Sequence, residues 1–162
     1  AELYLYKFGV MECPVTLIEQ SNTFVNKLGS ITPKSIPTSK KLNFDFKGDD
    51  TRLKDIVKSL CLQFNFLQDT NSSQKEFIEV FTTKDLKNCN VKIQIACQTN
   101  MFTLIQDNLK KLAPNFKDAI IEKSNLFYSQ NGTKLTAQNL SKSRKKTNFS
   151  EEIKTKMEKI FS

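Results

Sequence analysis

The 162-residue chain is predicted to fold as an α+β domain, a two-layer sandwich of a mostly antiparallel sheet with helices on one face. Three observations predict it. Several short runs alternate apolar and polar residues with a period of two. Other stretches carry apolar residues at i, i+3 and i+4. The two patterns interleave along the chain rather than segregating into halves.

Tyr4, Tyr6, Phe8 and Val10 alternate with Leu3, Leu5, Lys7 and Gly9, which predicts a first strand ending before Pro14, and Val15 to Ile18 reads as its return. From Ser30 to Lys41 the prolines, hydroxyls and lysines have loop composition. Leu42, Phe44 and Phe46 alternate with Asn43 and Asp45 as a half-buried strand stopping at Lys47-Gly48. A helix then follows, with Asp50 as candidate N-cap and Leu53, Ile56, Val57, Leu60, Cys61 and Phe64 forming one apolar stripe. Phe77 to Phe81 and Val91 to Cys97 are rich in Phe, Ile and Val and read as an antiparallel strand pair.

Asn100 is placed to cap a helix that turns Met101, Leu104, Ile105, Leu109 and Leu112 inward and closes at Pro114. A further helix covers Phe116 to Tyr128 and ends near Asn131-Gly132. From residue 42 the order is strand, helix, strand, strand, helix, the greater part of a ferredoxin-like arrangement, whose open edge Leu3 to Val10 would fill. A pleckstrin-homology-like barrel with a C-terminal helix is the alternative, since a late strand running into an amphipathic helix suits that pattern too. The domain division is residues 1–130 as a single α+β domain, 131–149 as a basic linker, and 150–162 as a short amphipathic helix opened by Ser150, Glu151 and Glu152.

An apolar share of 38% with thirteen Phe is enough for a packed interior and excludes global disorder. No apolar run is long enough to span a membrane, and Ala1 to Val10 lacks the pattern of a secretory signal. Cys13, Cys61, Cys89 and Cys97 are too scattered for a zinc set and read as small buried hydrophobes in a reducing compartment. These features place the chain inside the cell.

With no His and four scattered Gly, neither His-based catalysis nor a phosphate-cradling glycine loop is available, and Asp49-Asp50 beside Gly48 suits a turn and cap. No catalytic residue, metal or cofactor is therefore expected, and no small-molecule substrate. The net charge of +8 is uneven: residues 61–130 carry eight Lys against seven Asp or Glu, while residues 131–162 carry eight basic against three acidic. Lys40 and Lys41, and the run Lys142, Arg144, Lys145 and Lys146, are the candidate nucleic-acid contacts. That run also reads as a solvated linker or a nuclear-import signal, with the nucleus as one destination. Lys75-Glu76-Phe77-Ile78-Glu79 lacks the small residues and second ring of an RNA-stacking strand, so any such binding would come from the basic segments.

Ile153, Met157, Ile160 and Phe161 form an apolar stripe that must be buried, either on the chain's own domain or in a groove on another protein. The expected function is thus a non-enzymatic protein–protein interaction module, a subunit or fragment of a larger assembly. The alternative is a nucleic-acid-binding module using basic segments 33–58 and 131–159.

Overall fold

In the computed structural model, residues 41–162 are described, apart from Asp69 and Thr147. The expected hairpin from Leu3, the loop before it meets Lys41, and Lys40 itself lie outside the described residues. The elements in chain order are α1 (Asp50–Phe64), α2 (Thr70–Thr82), a single 3-10 turn (Leu86–Asn88), β1 (Ile93–Gln94), α3 (Thr99–Leu109), α4 (Asp118–Ser124), β2 (Phe127–Tyr128), α5 (Ala137–Lys146) and α6 (Glu151–Phe161). Among the described residues helix dominates, and the sheet is one parallel pair, Ile93 opposite Phe127 and Gln94 opposite Tyr128. Both the two-layer sandwich with a mostly antiparallel sheet and the barrel are therefore overturned.

The α1 stripe buries Leu53, Ile56, Val57 and Leu60 as its spacing predicts. Its cap is Asp49 rather than Asp50: the Asp49 carboxylate accepts from the Arg52 N–H at 2.8 Å. Asn65, left-handed at φ 49°, ends the helix.

The largest correction is α2. Phe77 and Phe81 fit a period of two, but a strand would set Glu79 on the same face as both rings. In the helix, Phe77, Val80 and Phe81 sit at i, i+3 and i+4 and are buried, while Glu79 is exposed. With this strand gone, the expected antiparallel partner of Val91–Cys97 is also gone. That segment keeps only Ile93–Gln94, joined through α3 and α4 to the parallel strand β2. Residues 42–46 form no strand. Asp45 has a left-handed φ of 57°, which breaks an extended ladder, although Phe44 is fully buried. The helix expected over 116–128 stops at Asn125, φ 60°, which frees Phe127–Tyr128 for β2.

Among the described residues seven Phe, at 44, 66, 77, 81, 102, 116 and 127, are fully buried in a core they share with Leu, Ile and Val. Their rings meet edge-on or offset, from 4.8 Å between Phe44 and Phe116 to 6.5 Å between Phe77 and Phe116. After β2 the chain reverses in a tight turn where Gly132 takes φ +73°, a conformation costly for a residue with a Cβ. The Ser129 N–H donates to the Thr133 carbonyl at 2.7 Å, and Lys134 returns to bridge Tyr128.

Residues 131–149, expected as linker, contain α5, which buries Leu140 and packs on α3 and α4. The chain then turns into α6, capped by Ser150 as expected, whose hydroxyl accepts from the Ile153 N–H. Helix α6 lies on α1 and α3. Among the described residues no helix is long and apolar enough to cross a membrane.

Candidate nucleic-acid interface

Helical geometry divides the basic run of α5. At about 100° per residue, Leu140 and Arg144 share one face, while Lys142 and Lys146 share the opposite one. The first face is inward. Arg144 donates from Nη1 and Nη2 to the two oxygens of Asp118 at 2.9 and 3.1 Å, from Nη2 to Gln106 Oε1 at 2.8 Å, and from Nε to Asp107 at 3.2 Å. Gln106 is fully buried and donates in turn to the Phe116 carbonyl and to Asp118. Desolvation pushes the Asp118 carboxyl upward, but hydrogen bonds from Arg144 and Gln106 and the charges of Arg144 and Lys110 outweigh it, so it lies below the usual carboxylate value. The same bond to Asp118 raises Arg144 against its own desolvation. Arg144 is thus a clasp for α5 and not a free cation.

The opposite face meets the turn after β2 across a cleft of about 270 Å³. Lys142 and Lys146 line it from α5 and Lys134 from the turn, and the hydroxyl residues Ser129, Thr133 and Thr99 line it as well. No carboxylate residue lines it, and none of the ion pairs among the described residues involves these three lysines. Thr99 is the first residue of α3, whose N-cap is Gln98 rather than the expected Asn100; Gln98 makes no side-chain capping bond, while the Asn100 side chain accepts from the Met101 N–H at 2.7 Å within the first turn.

Of the basic residues singled out in the sequence, Lys142 and Lys146 come together here. Lys145 is exposed but does not line the cleft. Lys41 is exposed beside Lys123 at a separate cleft of about 340 Å³. Lys134, Ser129 and Thr133 were not singled out, because Asn131-Gly132 reads as a helix end; that same dipeptide, taken as a reversal between two extended segments, would have placed them.

The partner stripe behaves differently. Met157 is buried against the chain's own core, with Ile160 and Phe161 packed beside it, and the Arg52 guanidinium donates to the carbonyls of Phe161 and Ser162 at 2.9 and 3.1 Å. Ile153 alone of the four lines an open groove of about 540 Å³, with Phe64, Met101 and Phe149. Cys97 also borders this groove. Burial pushes its thiol up to about 12 and raises the neighbouring Cys61 as well, so both are protonated at neutral pH. Among the described residues no group of three or more Cys, Asp or Glu stands where it could hold a metal ion.

No curated protein and no solved structure matches the chain. A family model does match residues 4–161, nearly the whole length, and the chain belongs to that family, DUF6617, described as a family of unknown function.

Proposed function

We propose that the chain is a non-enzymatic binding module that holds the phosphate backbone of a nucleic acid in the cleft between α5 and the turn after β2. The observation that carries this reading is the convergence of Lys134, Lys142 and Lys146 on one concave space without a carboxylate. Ammonium groups lining one cleft repel one another, and an anion bound among them removes the repulsion. Hydroxyl residues lining the same cleft supply hydrogen-bond donors of the kind that phosphate oxygens take.

Fluorescence-anisotropy titrations of a single-stranded oligonucleotide at several salt concentrations test the reading. If each lysine meets one phosphate, log K should fall with log salt at a slope of about −2, and each lysine removed should reduce that slope by about 0.7. Absence of binding, or binding by Lys142→Ala/Lys146→Ala with an unchanged slope, overturns it.

The apolar groove beside Ile153 favours a second reading, a protein-interaction module in which an apolar side chain of a partner peptide enters between Phe64, Met101 and Phe149. Nuclease-treated extract probed with the wild type and with Ile153→Ser separates the two. A protein partner lost only with the variant supports the groove, and equal capture removes it.

A further inference from the structure

We infer that the α5 cleft is a seat for a terminal phosphate, the phosphomonoester at the end of a nucleic-acid strand, rather than for a diester in mid-strand. The inference rests on the nucleic-acid reading above and sharpens it. Its first ground is charge. A mid-strand diester carries one negative charge, whereas a monoester carries about −1.5 to −2 at neutral pH and presents three strong acceptor oxygens. Three lysines from two sides of one cleft, with no carboxylate among the lining residues, match the monoester and exceed what a single diester can neutralise. Its second ground is size. At about 270 Å³ the cleft is slightly smaller than the usual ligand pocket, room for a phosphate group and little more of a strand. The third ground is hydrogen bonding: Ser129, Thr133 and Thr99 line the same space, so hydroxyl donors accompany the charges.

The experiment compares one single-stranded oligonucleotide with a 5′-phosphate, a 3′-phosphate or hydroxyls at both ends, at fixed salt. One phosphorylated end should bind about tenfold more tightly than the hydroxyl form, because it adds charge-assisted hydrogen bonds. Lys134→Gln/Lys142→Gln/Lys146→Gln should bind all three alike. All three lysines are exposed, so the variant's circular dichroism should match that of the wild type. Equal affinity for all three forms in the wild type, with binding still dependent on the lysines, overturns the terminal seat and leaves backbone binding standing. A phosphate preference that survives in the triple variant also overturns it, since the seat is then elsewhere. Failure of every form to bind overturns both readings.

Discussion

Helices α5 and α6 are successive, ten and eleven residues long, and both pack on the same core, yet they are attached by different physics. Helix α6 is held mainly by an apolar stripe, Met157 with Ile160 and Phe161, supplemented at its end by Arg52 donating to the Phe161 and Ser162 carbonyls, and its surface ion pairs Glu151–Lys154 and Glu152–Lys156 are exposed and add little. Helix α5 buries one apolar side chain, Leu140, and relies for the rest on Arg144 reaching Asp118, Gln106 and Asp107. Apolar attachment is indifferent to pH and salt over the ordinary range, whereas a polar clasp is not. The difference also explains how α5 can present lysines outward: a helix docked by a broad apolar stripe would have fewer positions left for cations.

The largest effects should come from the apolar anchors. Met157→Ala and Leu140→Ala each remove a fully packed side chain and should cost about 2 to 5 kcal/mol in denaturant unfolding. Amide exchange should rise in α6 and the facing part of α1 for the first, and in α5 for the second. A loss below about 0.5 kcal/mol for Met157→Ala would show that apolar burial does not hold α6, and the contrast with α5 would collapse.

Arg144→Ala comes next. It leaves Gln106 Oε1, on a fully buried residue, without its donor and Asp118 without its fork, at an expected cost of about 1 to 3 kcal/mol. Arg144→Lys keeps the charge but cannot satisfy both Asp118 oxygens and Gln106 together, so it should recover part of the loss only. The same change to Ala at exposed Lys145, one residue on, should stay within about 0.5 kcal/mol. Equal effects at 144 and 145 in thermal melts would mean that α5 is a solvated helix without a clasp.

This pair of neighbours shows where reading the sequence stops. The stripes of α1 and α6 are legible because Leu53 to Leu60 and Met157 to Phe161 repeat at helical spacing, and Ser150 announces its helix as a cap. Of the inward face expected for α3, only Ile105 and Leu109 are buried, while Met101, Leu104 and Leu112 are half-buried and Phe102, which the spacing does not single out, is fully buried. Helix α2 is ambiguous by arithmetic, since positions 77 and 81 share a face at a period of two and also at 3.6, and Phe and Val favour strands. Helix α5 has one buried apolar residue, too few to show a period, and its docking depends on Asp118 and Gln106, which are remote in sequence. Two-residue strands leave no pattern at all. The site is half legible: charge marks Lys142 and Lys146, but nothing local says that Arg144 between them turns away, or that the turn at Gly132 brings Lys134 to face them.

The smallest effect, and the one that most sharpens the contrast, is on acidification. The Asp118 carboxyl is depressed in the folded chain relative to its ordinary value of about 3.9. A depressed carboxyl binds protons more readily in the unfolded chain, so stability rises with pH through the interval between the two values. Its contribution is fully present above the ordinary value and is lost as the pH falls through the lower folded one. Because Asp118 holds α5 through Arg144, that loss should be local before it is global. NMR amide signals followed from pH 7 down to about pH 2, through the depressed value, should shift and broaden in α5, around Leu140 and Arg144, before those around Met157 in α6. Asp118→Asn removes the titrating group while keeping a side chain of the same shape, so in that variant the early response of α5 should vanish. If instead α6 loosens first, or both helices respond together in the wild type and in Asp118→Asn alike, the acid response comes from general charge repulsion, and the clasp is not what distinguishes one helix from the other.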